Sequence, residues 1–194
     1  MQTLQRMVLA VAISLTFASG LASQLAADDV KSTLAVGDFV SGFEVTKWAG
    51  ATDDKVKLGS QLCYVCRYEE RPVVVVFARK VDKNLAALVK GLDAAVAGNS
   101  KKQLASFVSL LGNDRKQLAT NAKTLIAKSG AKRIPMVSPI ENAAQGPSEF
   151  KLGADAQVTV VMYKAGEVKL NHAFVSLTSK DVSRLLRDVA KLLD

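Results

Sequence analysis

The chain has 194 residues, 49% of them apolar and 23% charged, and carries a formal net charge of +8. This length and balance predict one globular domain with a substantial core, and exclude a disordered chain or a membrane protein. The basic surplus invites a nucleic-acid reading, which the N-terminus argues against.

Residues 1–27 have the form of a secretory signal. Arg6 supplies the basic start, residues 7–17 the apolar stretch, and Ala18, Ser19, Gly20, Ala22, Ala26 and Ala27 the small residues. Cleavage after Ala22 or after Ala27 suits this pattern. A retained anchor is the alternative, but the apolar run is short and Ser14, Thr16, Ser19 and Gly20 dilute it. No cysteine lies near the cleavage region, which excludes a lipoprotein anchor. The expected product is an exported protein, periplasmic or extracellular, that does not span a membrane once the signal is removed. Loss of Arg6 from 26 basic residues leaves 25 against 18 acidic. Outside the cytoplasm the acidic partners of such a surface are polymers, headgroups or proteins, so no nucleic acid is expected. Lys101, Lys102, Arg115, Lys116, Lys123, Lys128, Lys132 and Arg133 are spread along predicted helix faces, as a solvated surface would be.

After a polar lead-in over residues 28–35, one domain is expected over 36–194. In residues 36–45, Phe39, Ser41, Phe43 and Val45 alternate as one side of a short strand. A loop follows the strand, through 50–55, and carries Trp48 as a packing lid or, as the alternative, a ligand contact, packing being preferred. The only two cysteines, Cys63 and Cys66, then form a C-x-x-C just before the most apolar run of the domain, Val73 to Ala78. Four valines and Phe77 predict a strand buried on both faces, and Pro72, lacking an N–H, fits only at its start.

Asp82 caps a helix whose stripe is Leu85, Leu88, Val89, Leu92 and Val96. Phe107, Val108, Leu110 and Leu111 make a strand. A second amphipathic helix begins near Asn113, turns Leu118, Ala122, Leu125 and Ile126 inward, and stops at Gly130. Residues 134–140 read as a short strand, which Pro135 and Pro139 would push to the periphery. A helical turn at 146–150 leads to a hairpin, 157–163 and 168–175, closed at Lys164-Ala165-Gly166-Glu167. Thr178, with Asp181 three residues on, starts a last helix striped by Val182, Leu185, Leu186, Val189 and Leu193.

This order of elements predicts a mixed sheet between helix layers. Together with Val36-Gly37-Asp38 through Phe43 and the helix and strand over 113–140, it resembles the thioredoxin superfamily, and within it the redoxin (peroxiredoxin-like) branch. The resemblance spans roughly residues 36–194. It implies an α/β thioredoxin-like three-layer fold, a mixed central sheet flanked by helices, with the redoxin-type helix–strand insertion. It also implies a reactive cysteine at the start of the helix after the buried strand. Here that region reads Arg79-Lys80-Val81-Asp82-Lys83-Asn84, and the family's threonine is missing as well. The position of the family's cis-proline aligns with Val158, while Pro135 belongs to another element. The usual site is empty, so conventional peroxiredoxin activity is not expected.

Cys63 and Cys66 precede the strand, so chain order assigns them to its opposite end, roughly 20 Å from the usual site. A c-type haem needs histidine at 67, where Arg67 stands. Zinc needs about four ligands, which would require His172, Glu69 or Glu70 beside the pair. No cofactor and no metal are therefore expected. An intrachain disulfide fits, because residues i and i+3 in a turn bring Cα atoms into bonding range. Two readings of that bridge stay open. In one it exchanges with a thiol- or disulfide-bearing protein partner, with Cys63 as nucleophile by analogy with other C-x-x-C proteins. Arg67 and Arg71 would then favour its thiolate, while Glu69 and Glu70 oppose it. In the other, the protein is a non-enzymatic binding or scaffold protein and the bridge is a staple, with Tyr64 and Tyr68 packed around it. His172 shares a face with Val168, Leu170 and Phe174 and reads as a buried histidine bonded to backbone rather than a catalytic one.

Overall fold

The computed structural model describes residues 34–194. The expected signal at 1–27 and most of the lead-in lie outside the described residues. The strands are β1 (Val45–Ala49), β2 (Gln61–Leu62), β3 (Val73–Ala78), β4 (Ala105–Leu110), β5 (Met136–Pro139), β6 (Val158–Lys164) and β7 (Glu167–Phe174). They form a single mixed sheet in the order β2-β1-β5-β4-β3-β6-β7. β3, β4 and β5 run parallel, and β1, β2, β6 and β7 join antiparallel to their neighbours.

β3 lies in the middle, and all six of its residues are buried. Alternation sends Val74, Val76 and Ala78 to one face, and Val73, Val75 and Phe77 to the other. Each such valine or phenylalanine contributes about 1.5–3 kcal/mol by leaving water. On the first face lie α2 (Lys83–Gly98), α3 (Arg115–Ser129) and α4 (Ser179–Leu193). The crossovers β3-α2-β4 and β4-α3-β5 step in the same direction along the sheet, so both helices land on one side. The opposite layer is thin: a short α1 (Tyr64–Tyr68), the segment 41–44 and a 3-10 turn at Ser148–Phe150.

The helix ends follow their local chemistry. Asp82 accepts from the N–H groups of Asn84 and Leu85 at 2.9 Å each, and Asp114 caps α3 one residue later than expected. Gly130 ends α3 with φ 68°, where its N–H reaches Ile126 O at 2.8 Å. Thr178 and Asp181 form a reciprocal capping box on α4. In the hairpin, Ala165 and Gly166 both have positive φ, as a two-residue turn that matches strand twist requires. No helix among the described residues is long and apolar enough to cross a membrane.

Three expectations are corrected. The first strand is Val45–Ala49 rather than 39–45, and Trp48 belongs to it, donating from Nε1 to Ser138 Oγ at 2.8 Å. Residues 37–40 instead follow the β6–β7 hairpin, through Gly37 N to Val168 O (2.9 Å) and Val40 N to Gly166 O (2.8 Å), and leave Phe39 70% exposed. The chain then crosses the thin face, where Phe43 packs on Phe77, Phe107 and Phe150. β5 is internal rather than peripheral, because β1 and β2 extend the sheet beyond it. Its prolines are harmless there: Pro135 precedes the strand and needs only its carbonyl, bonded by Val108 N at 3.0 Å, and Pro139 is its last residue. β2 and α1 have no counterpart in the sequence reading.

Candidate functional site

Cys63 follows β2 directly and is the N-cap of α1. Its backbone is extended (φ −105°, ψ 110°), and its Sγ accepts a hydrogen bond from Cys66 N at 3.0 Å. The two cysteines are bridged, with Cα atoms 5.3 Å apart, as the turn spacing predicted. Cys66 is exposed and Cys63 half-buried. Tyr64 and Tyr68 are buried and hold α1 on the sheet. Tyr64 stacks on Phe107 with centroids 5.7 Å apart, and Tyr68 lies 6.3 Å from the same ring.

The pair is not at the end of the sheet that chain order suggested. Val45 pairs with both Leu62 and Pro139, so β2 finishes beside the carboxyl end of β5. Met136 is level with Val108, and Val108 with Val76, so Pro139 lies where β3 has already ended. Cys63 therefore sits at the carboxyl pole of the parallel strands, the pole that also holds Arg79 to Asn84. The reason is the unforeseen α1: with residues 69–72 it carries the chain back down the sheet to the start of β3.

A cleft of about 470 Å³ opens beside the bridge, between the Gly42–Glu44 crossing and residues 139–149. Three carboxylates, Glu44, Glu141 and Glu149, line it with the two cysteines. Gly42 lies against the sulfurs: a Cβ there would stand 2.6 Å from Cys66 Sγ and 3.1 Å from Cys63 Sγ. Bonded sulfurs cannot swing aside, so Gly42→Ala should strain the oxidised form and spare the reduced one. Overpacking of about 1–2 kcal/mol would raise the reduction potential of the pair by roughly 20–40 mV. Equilibration with a thiol–disulfide buffer measures this, and an unchanged potential would contradict the close approach.

Behind α1 lies a buried polar network that the sequence did not reveal. Lys47, on β1 and 1% exposed, donates from Nζ to Asp54 Oδ1 (2.6 Å), Ala51 O (2.7 Å) and Val56 O (3.0 Å). Asp54 Oδ2 accepts from the Tyr64 hydroxyl at 2.6 Å, and Asp54 O accepts from Arg67 at 2.8 Å. Burial first, and then the bond to Asp54, raise the Tyr64 hydroxyl far above its ordinary value, so it stays a donor. Asp54 thus ties the 50–57 loop to Tyr64, which follows Cys63, and to Arg67, which follows Cys66. A lysine within a strand and aspartates in a loop are ordinary signals, and nothing in them announces a buried pair.

The other expected residues fall elsewhere. Arg71 stacks over Tyr68 at 5.1 Å and donates to Gln103 O at 2.8 Å, at the amino pole. Arg67 is engaged by Asp54 O, so neither arginine is committed to a sulfur. Glu69 and Glu70 line a separate cleft with Arg71, Pro72 and Gln103. Among the described residues no group of three or more His, Cys, Asp and Glu side chains is arranged to hold a metal. His172 is half-buried, and its partner is a carboxylate rather than backbone: Nε2 lies 3.2 Å from Asp188 Oδ2 on α4.

At the position where the redoxin resemblance implies a reactive cysteine, Arg79 acts as a strut. Its guanidinium donates to Ala144 O and Gln145 O in the loop behind the cleft, and to Ala156 O at 3.1 Å. The small hollow nearby is lined by Lys80, Asp82, Gln157 and Val158, and no peptide bond among the described residues is cis.

No protein-family model matches this chain, and no curated protein does. Solved structures do resemble it. A Chlorobium tepidum protein described as a thiol:disulfide interchange protein, DsbE, superposes with TM-score 0.60 at 14% identity, over 84% of this chain and 100% of that one. Mycobacterium tuberculosis AhpC gives 0.58 at 15%, over 83% and 99%. A secreted M. tuberculosis disulfide oxidoreductase homologous to E. coli DsbE gives 0.52 at 14%, over 77% and 95%. With the topology above, these likenesses establish a thioredoxin-like fold of the redoxin type.

Proposed function

We propose that this redoxin-type chain is an exported thiol–disulfide exchange protein whose working group is the Cys63–Cys66 bridge. The observation that carries the reading is an exposed cysteine, Cys66, in a bridged C-x-x-C that lines a cleft at the carboxyl pole of the sheet. Ligands of open α/β sheets bind at that pole. Two structural neighbours described as a thiol:disulfide interchange protein and a disulfide oxidoreductase add support. The partner is a protein thiol or disulfide able to enter the cleft.

The test is reduction of insulin by a supplied dithiol, together with the potential of the pair. Catalysed reduction and a potential between about −120 and −270 mV support exchange, whereas no activity and a value below about −300 mV mark a structural staple. The second reading, a scaffold with a stapled turn, draws on how closely Gly42 packs on the bridge. In the same preparation hydrogen peroxide should be consumed no faster than by an ordinary surface thiol, because Arg79 and its neighbours supply no peroxidatic cysteine. Export carries its own check: protein recovered from its native cells should begin just after Ala22 or just after Ala27, and an intact Met1 in the membrane fraction would refute it.

A further inference from the structure

We propose that the attacked sulfur of the bridge is Cys66 and that Cys63 is the leaving group, the reverse of the order expected from other C-x-x-C proteins. The inference rests on the exchange reading and adds its polarity. Two independent features of the site carry it.

The first is access. Displacement at a disulfide needs the incoming sulfur to reach its target along the line of the bond being broken. Cys66 is exposed, whereas Cys63 is half-buried between β2 and α1. Gly42 passes close to Cys66, and a side chain there would crowd that sulfur, since a Cβ would stand 2.6 Å away.

The second is the fate of the departing electron pair. Cys63 Sγ accepts the Cys66 N–H at 3.0 Å, and among the described residues no hydrogen bond reaches Cys66 Sγ. A donor aimed at a sulfur favours its thiolate, and a thiol of lower pKa leaves faster. The bridge is therefore polarised, with one sulfur placed to be attacked and the other to depart.

The step balances with a protein dithiol as reductant. One thiolate of the dithiol bonds to Cys66 Sγ, the Cys63–Cys66 bond breaks, and its electron pair passes to Cys63 Sγ, held by the Cys66 N–H. The second thiol of the dithiol, losing its proton to water, then attacks its own partner sulfur in the mixed disulfide. Cys66 departs as a thiolate, so the dithiol is oxidised to a disulfide and the pair is reduced by two electrons. In reverse, Cys66 attacks a partner disulfide and Cys63 closes the bridge.

The test uses the oxidised full-length mature protein and glutathione as the attacking thiol. Acid quenching at successive early times, alkylation of the freed thiol with a maleimide and fragmentation mass spectrometry locate the mixed disulfide. The expected result is glutathione on Cys66 and maleimide on Cys63, in at least about ten-fold excess over the opposite labelling. Equal labelling, or glutathione on Cys63, overturns the polarity and leaves exchange standing. Failure to form either adduct, while a control protein disulfide is attacked, sinks the exchange reading and this inference with it. Single variants give a second readout. Cys63→Ser should retain a disulfide-bearing partner in a stable mixed disulfide about ten-fold faster than Cys66→Ser, and the opposite ranking refutes the assignment.

Discussion

Replacing Lys47 with methionine should lower the unfolding free energy by about 3–5 kcal/mol, the typical effect of breaking a buried ion pair from one side. Methionine keeps most of the stem volume, so the loss isolates the charge. What it leaves behind is Asp54, with its carboxylate still bonded by Tyr64 and by Val56 N–H but without its cation. Against a domain stability of about 5–15 kcal/mol this is a large fraction. At this chain length it corresponds to a fall in Tm of roughly 10 °C. Adding Asp54→Asn should recover part of the loss, because the stranded charge is gone. A double-mutant cycle measures the coupling, and less than about 0.5 kcal/mol would show that the pair acts independently. The effect should reach the bridge, since Asp54 holds Tyr64 and Arg67 on the turn that carries Cys63 and Cys66. Oxidised Lys47→Met should react with small thiols faster than the parent does.

Changing both cysteines to serine should abolish insulin reduction and leave a folded protein. The bridge spans a sequence separation of 3, and so short a loop restricts the unfolded chain by no more than about 2 kcal/mol. The core that orders the fold does not include it: Val73 to Phe77 on β3, Leu85 and Leu88 on α2, and Leu185 on α4 are each at most 1% exposed. Tyr64 and Tyr68 hold α1 in place by packing on Phe107, with or without the sulfurs. Denaturant unfolding and the activity assay should therefore separate cleanly. A variant that fails to fold would show that the turn depends on its bridge, which is the staple reading.

Much of the fold was legible because its signals are local. The stripes of α2, α3 and α4, the caps at Asp82 and Thr178, the stop at Gly130 and the turn at Ala165-Gly166 each depend on residues within a turn or two of one another. The apolar run Val73 to Ala78 announced a central strand because only a strand covered on both faces tolerates it. Where pairing depended on distant partners, local pattern misled. Phe39, Ser41, Phe43 and Val45 alternate like a strand, yet that segment borders a hairpin and then crosses a face, because β1 finds its partners at 61–62 and 136–139. Pro135 and Pro139 suggested an edge, but whether a strand is internal depends on what lies beyond it.

The same division runs through the candidate site. By itself the sequence determined that two cysteines three residues apart would bridge within one chain, since a turn places their Cα atoms in range whatever surrounds them. It also determined that Arg79 to Asn84, directly after the buried strand, hold no thiol. Only the tertiary structure decided at which pole the pair lies, which cysteine is exposed, and which charges line the cleft beside it. Those properties arise where β2, α1, the Gly42 crossing and the 139–149 loop converge, from segments up to about a hundred residues apart in the chain. Lys47 and Asp54 are the clearest case. Each is an unremarkable polar residue in the sequence, and burial beneath α1 makes each the other's necessary partner, because a charge removed from water must find its counter-charge in the folded chain.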